Sequence, residues 1–99
     1  MKKLIVVVSF LIAVSAHADD ALIRKNGCIA CHQNATKVVG PALKDIAAKY
    51  KNRKDAVDYL SKKIRAGGGG VWGPMPMPAQ PHVTEADAKK LATHILTVK

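Results

Sequence analysis

Gly27-Cys28-Ile29-Ala30-Cys31-His32 sets two thiols three positions apart, with an imidazole directly after the second. Nothing else in the chain limits it as tightly, because these six residues admit three main uses: a metal site, a redox disulfide or a covalent haem anchor. A structural zinc site wants four ligands, usually from a second close pair of Cys or His. His82 and His94 are too far apart for any finger or ribbon pattern. A thioredoxin-type pair opens a helix that follows a strand. No strand pattern precedes Cys28, and a disulfide or a copper-binding thiol pair leaves His32 without a role. Covalent haem uses every member: the thiols add across two porphyrin vinyl groups, and the histidine follows in place as an iron ligand.

The N-terminus agrees with an oxidising destination. Met1-Lys2-Lys3 is a positive start, Leu4 to Ala16 is a nearly unbroken apolar run, and Ala16-His17-Ala18 puts small residues where a signal peptidase cuts. A membrane span would need roughly 20 apolar residues. This run is shorter and meets Asp19-Asp20. Residues 1–18 are therefore expected to be a cleaved secretory signal and residues 19–99 the domain, exported to the periplasm. Removing Lys2 and Lys3 from the sixteen basic residues leaves fourteen against seven acidic, a formal charge of +7. Export makes nucleic acid a hard partner to meet, so an acidic protein surface or an anionic membrane is the natural counterpart.

A domain of this size is close to the limit for a self-sufficient hydrophobic core. After the leader its aromatics are Tyr50, Tyr59 and Trp72. A bulky apolar cofactor is expected to fill part of the interior. Apolar positions recur at helical spacing: Leu43, Ile46, Ala47 and Tyr50 after Pro41; Val57, Leu60 and Ile64; Ala88, Leu91, Ala92 and Ile95. Thr84 with Asp87 three residues on reads as a capping-box-like start for the last helix. A short first helix is expected from about Asp20 to Lys25. The chain reads as all-α, with four helices and no strand.

Between the last two helices runs Gly67 to His82, four glycines followed by alternating prolines. Such a stretch cannot continue a helix. A loop of this length inside one small domain is expected to cover something. It carries Met75 and Met77, either of which can supply a thioether to the iron, and in a polyproline-like stretch only one of the two can face it. His82 is a third candidate, and His94 reads as a helix-flank residue. On the other side, the Pro41 carbonyl in "VGP" is a candidate acceptor for the second ring nitrogen of His32. A plain helix start at Pro41 accounts for the same residues.

"GCIACH", "VGPALKDIAAKY" and "GVWGPMPMP" together resemble the class I monohaem cytochromes c, in particular the short bacterial periplasmic type that donates electrons to nitrite reductase or terminal oxidases. The resemblance covers essentially the whole chain after the leader. It implies the class I cytochrome c fold, about four short helices wrapped around one covalently attached haem c. Cys28 and Cys31 would be the thioether anchors, His32 the proximal iron ligand, Pro41 its carbonyl partner and Met77 the distal iron ligand. Trp72 would donate its N–H toward a haem propionate, with Lys63 a cationic neighbour. Gln80 stands where the family often has an asparagine near the ligand sulfur. Ile23 and His94 stand where it packs aromatics between the first and last helices.

The expected function is a periplasmic one-electron carrier in respiration, with no reaction catalysed. Its partners would be acidic surfaces of redox proteins such as nitrite reductase, cytochrome oxidase, a peroxidase or an upstream cytochrome reductase. Neither nucleic-acid binding nor stable membrane insertion is expected, and the carrier should act as a monomer. The competing expectation is a haem enzyme or gas sensor with an open or labile sixth iron site.

Overall fold

The computed structural model of the chain describes residues 3–9 and 17–99. Among the described residues four helices follow one another: α1 (His17–Lys25), α2 (Leu43–Tyr50), α3 (Ala56–Ala66) and α4 (Glu85–Ile95), with a 3-10 turn at Cys28–Ala30 between α1 and α2. Among the described residues extended pairing is confined to two isolated bridges, His32 with Lys37 and Gly68 with Met77. Much of the expected leader lies outside the described residues. Of its apolar run, Leu4 to Val8 is without regular structure and strongly exposed.

Helix α1 begins three residues before the expected Asp20. Neither His17 nor Ala18 breaks a helix, so backbone hydrogen bonding runs back past the acidic pair. At its other end Asn26 donates from both its backbone and its side-chain amide to the Leu22 carbonyl, at 3.2 and 2.9 Å. Those two bonds satisfy a carbonyl that the helix end would leave open. The Thr84 hydroxyl accepts from the Asp87 N–H at 3.1 Å, the N-cap expected for α4.

Helix α4 is the hub and packs against α1, α2 and α3. Its expected inner face is buried: Ala88, Leu91, Ala92 and Ile95. Ala88 and Ala92 are small enough to let the neighbouring backbones approach closely, and Leu91 fills the centre. The same face of α2, Leu43, Ile46, Ala47 and Tyr50, is also buried. Burying each large apolar side chain contributes about 1.5–3 kcal/mol. In α3 the buried set is Ala56, Leu60, Ser61 and Ile64, with Val57 only half-buried. The inner face of α3 is rotated relative to the apolar stripe, and the Ser61 hydroxyl tolerates burial by donating to the Asp58 carbonyl at 2.9 Å.

At the α1–α4 crossing, Ile23 is buried and His94 pairs with Asp20, Nε2 to Oδ1 3.1 Å. A polar link and an aliphatic contact hold this seam. Tyr50 and Tyr59 tie α2 to α3 with ring centroids 5.1 Å apart and planes tilted by 44°. Such aromatic pairs add about 0.5–1.5 kcal/mol beyond the area they bury.

Candidate functional site

The Cys28–His32 turn is built from its own backbone. Cys31 and His32 both donate to the Cys28 carbonyl, at 3.2 and 2.8 Å, which winds the two thiols and the imidazole onto one turn. The sulfurs are free, not joined to each other. Burial pushes the Cys28 thiol above its ordinary pKa, and the neighbouring Cys31 adds to the effect. Cys28 is thus held as a neutral thiol at pH 7.

His32 is oriented from behind. Its Nδ1 lies 2.8 Å from the Pro41 carbonyl oxygen. A carbonyl can only accept, so the proton resides on Nδ1 and the lone pair on Nε2. That is the tautomer a metal ligand requires, and the acceptor fixes the orientation of the ring. The ring also lies flat against Gly40. A Cβ there would stand 2.5 Å from His32 Cε1 and 2.9 Å from Nδ1. Gly40 donates in turn to the Cys31 carbonyl at 2.8 Å, joining the turn to the segment that carries Pro41. Sequence reasoning singled out Pro41 in "VGP" and missed the glycine before it.

The glycine–proline loop is fixed by a second glycine. Helix α3 ends at Gly67, whose φ of +69° belongs to the left-handed region. An added Cβ would meet the Met77 carbonyl oxygen and stand 2.7 Å from Ala79 N and 2.8 Å from the Pro78 carbonyl carbon. Gly68 and Met77 then exchange two backbone hydrogen bonds of 3.0 and 2.8 Å. This anchors Met77, which is partly buried, while Met75 is 65% exposed. The Gln80 amide donates to the Pro78 carbonyl at 3.2 Å.

A third group gathers at one end of the site. Tyr50, Tyr59 and Trp72 are met by Lys49, whose Nζ is 5.4 Å from the Trp72 ring centroid, and by Lys63, whose Nζ is 5.7 Å from that of Tyr59. The Tyr50 hydroxyl has its pKa raised by burial and by the adjacent Tyr59. Neither the two tyrosines nor Lys49 was singled out from the sequence as part of a site. Tyr50 reads there as a core position, and the separation of Tyr59 along the chain hides their contact.

These parts surround one cleft of about 210 Å³, lined by Cys28, Cys31, His32, Pro41, Lys63, Trp72 and both methionines. Of the candidate site residues named from the sequence, Cys28, Cys31, His32, Pro41, Lys63, Trp72, Met75 and Met77 all line it. His82 does not, and is exposed. The donor set fits a haem: two free thiols and an imidazole of the correct tautomer on one turn, a thioether anchored by a neighbouring loop, and largely aliphatic walls from Ile46, Leu60, Ile64 and Leu91.

An all-helical domain with this floor and this loop is a small haem-c-binding domain. The comparisons with known proteins agree. The cytochrome c family matches residues 20–99. The chain is 59% identical over 91 residues to cytochrome c-552 of Nitrosomonas europaea, covering 92% of this chain and 88% of that protein. It is 52% identical over 99 residues to cytochrome c-552 of Hydrogenobacter thermophilus, with both chains fully covered. The crystal structure of wild-type Nitrosomonas europaea cytochrome c552 superposes with a TM-score of 0.79 and 61% identity, covering 81% of this chain and 99% of that one. The chain belongs to the cytochrome c family, as a small class I monohaem member with a covalently bound haem c, and its function is electron transfer. Members of this type are in general carriers and not enzymes. No described helix is long and apolar enough to cross a membrane.

Proposed function

We propose that the chain is a periplasmic electron carrier in which Cys28 and Cys31 form the thioethers and the haem iron is held between His32 and Met77. The observation that carries this reading is the 2.8 Å hydrogen bond from His32 Nδ1 to the Pro41 carbonyl, which leaves Nε2 as the available donor. When bound, the haem supplies a ferrous–ferric couple. The chain's own residues hold that couple still. Pro41 and Gly40 fix the imidazole from behind, and the Gly68 bridge anchors Met77. His32 and Met77 would together hold the iron, and a thioether ligand would raise its reduction potential and leave it closed to oxygen or peroxide. The aliphatic walls exclude water and keep the surroundings from reorganising when the charge changes. Trp72 and Lys63 contribute a donor and a cation for the haem carboxylates, with Lys49 stacked against the Trp72 ring.

This chain transforms no substrate in this reading. Its positive surface steers it toward acidic patches on redox partners. Residues 1–18 are a leader removed on export; the exposure of Leu4 to Val8, each 68% or more, supports their standing apart from the core. Intact mass of the exported protein tests the leader: residues 19–99 plus one haem is expected, and a retained leader refutes its removal.

The axial pair is tested by carbon monoxide binding to the ferrous protein at neutral pH. Slow or negligible binding by the wild type and rapid binding by Met77→Ala are expected, with the iron–thioether absorption lost only in the variant. Rapid binding by the wild type would establish the open-site reading, a haem enzyme or gas sensor.

A further inference from the structure

We propose that Met75 is a modification site, oxidised to the sulfoxide by small hydroperoxides at the mouth of the cleft ahead of Met77. The two thioethers are two residues apart in a segment that Pro74, Pro76 and Pro78 stiffen, and both line the same cleft. They are presented differently. Met75 is 65% exposed, whereas Met77 is partly buried and its backbone is tied on both sides to Gly68. The loop thus holds one sulfur in and leaves one out.

The chemistry is a two-electron oxygen-atom transfer. A lone pair of Met75 Sδ attacks the terminal oxygen of the hydroperoxide, an S–O bond forms as the O–O bond breaks, and the remaining oxygen leaves as water or an alcohol after proton transfer. The sulfur is oxidised and the peroxide reduced, with no other reactant. The product is polar where the thioether was apolar. Val71, 48% exposed, and Trp72, 39% exposed, line the same cleft as Met75. The sulfoxide therefore puts a strong dipole into an apolar rim at the entrance to the cleft. Exposure alone ranks the two sulfurs. The margin between them also rests on the proposed ligation by Met77, because a sulfur bound to iron would be a weaker and less accessible nucleophile.

The test treats the ferric, haem-loaded protein with limiting hydrogen peroxide, locates the added oxygen by peptide mass analysis, and follows the iron–thioether absorption in the same samples. Met75 is expected to be oxidised at least about tenfold faster than Met77, with that absorption unchanged. Met75→Leu should take up no oxygen in this loop at the same dose and keep its spectrum. Oxidation of Met77 at an equal or higher rate, with the absorption intact until then, overturns the inference. Loss of the absorption in step with oxidation of Met75 alone upholds the modification site and overturns Met77 as the iron ligand, so the two failures are distinguishable.

Discussion

Gly40 and His32 are in contact so close that no side chain fits between them: a methyl group on Gly40 would stand 2.5 Å from the imidazole Cε1 and 2.9 Å from Nδ1. The hydrogen bond to Pro41 leaves the ring no freedom to retreat without breaking it. Gly40→Ala is expected to cost about 1–3 kcal/mol, the usual range for overpacking. It should also displace the His32 imidazole, the proposed iron ligand. Thermal unfolding of the haem-loaded variant measures the first effect and its absorption spectrum the second; wild-type values for both would mean the backbone yields instead of the ring.

Gly67 plays the corresponding part for the distal loop. Its φ of +69° is strained for any other residue, and an added Cβ runs into the backbone of residues 77–79. Strain of that kind costs about 1–3 kcal/mol before the clash is counted. Gly67→Ala is expected to retain covalent haem, because Cys28 and Cys31 lie elsewhere, and to lose or weaken the iron–thioether absorption. A stable variant with an unaltered spectrum would separate Gly67 from the placement of Met77.

Thr84→Ala supplies the contrasting case. The Thr84 hydroxyl satisfies the Asp87 N–H at the start of α4, on the helix that anchors the core but outside the lining of the cleft. Loss of such a cap costs about 1 kcal/mol. Denaturant midpoints should fall accordingly with no change in the spectrum. A spectral change would mean that the start of α4 is coupled to the iron.

Tyr50 gives a dependence on alkaline pH. Its hydroxyl pKa is raised in the folded protein, first by burial and then by Tyr59. The unfolded chain therefore loses this proton first, from about pH 10 upward. The contribution to stability is complete below that pH and is lost as pH rises toward the folded-state pKa. In Tyr50→Phe the alkaline decline in unfolding free energy should be shallower than in the wild type. Equal slopes above pH 10 would exclude Tyr50 as a source of it.

Several of these relationships were invisible in the linear chain for a definite reason. The inner faces of α2 and α4 were legible because a helix repeats every 3.6 residues and the apolar residues follow that period. In α3 the period was visible but the buried face was not fully, since Ala56 and Ser61 are buried while Val57 is only half-buried. The family resemblance placed a seam between the first and last helices at Ile23 and His94 without showing what would hold it. The Asp20–His94 pair depends on how those helices cross.

By itself the sequence determined the chemistry on offer: two thiols and an imidazole on one turn, two thioethers in a proline-stiffened loop, and helices too poor in aromatic bulk to form a large core. These follow from covalent spacing and local periodicity, which act over a few residues. Only the tertiary structure decided which groups meet. The lone pair on His32 Nε2, the contact of Gly40 with that ring and the inward and outward methionines follow from contacts that short spacing rules do not specify, and the joining of Tyr50 to Tyr59 from packing between two separate helices. Such contacts arise when apolar burial draws the helices together, and no periodicity encodes them.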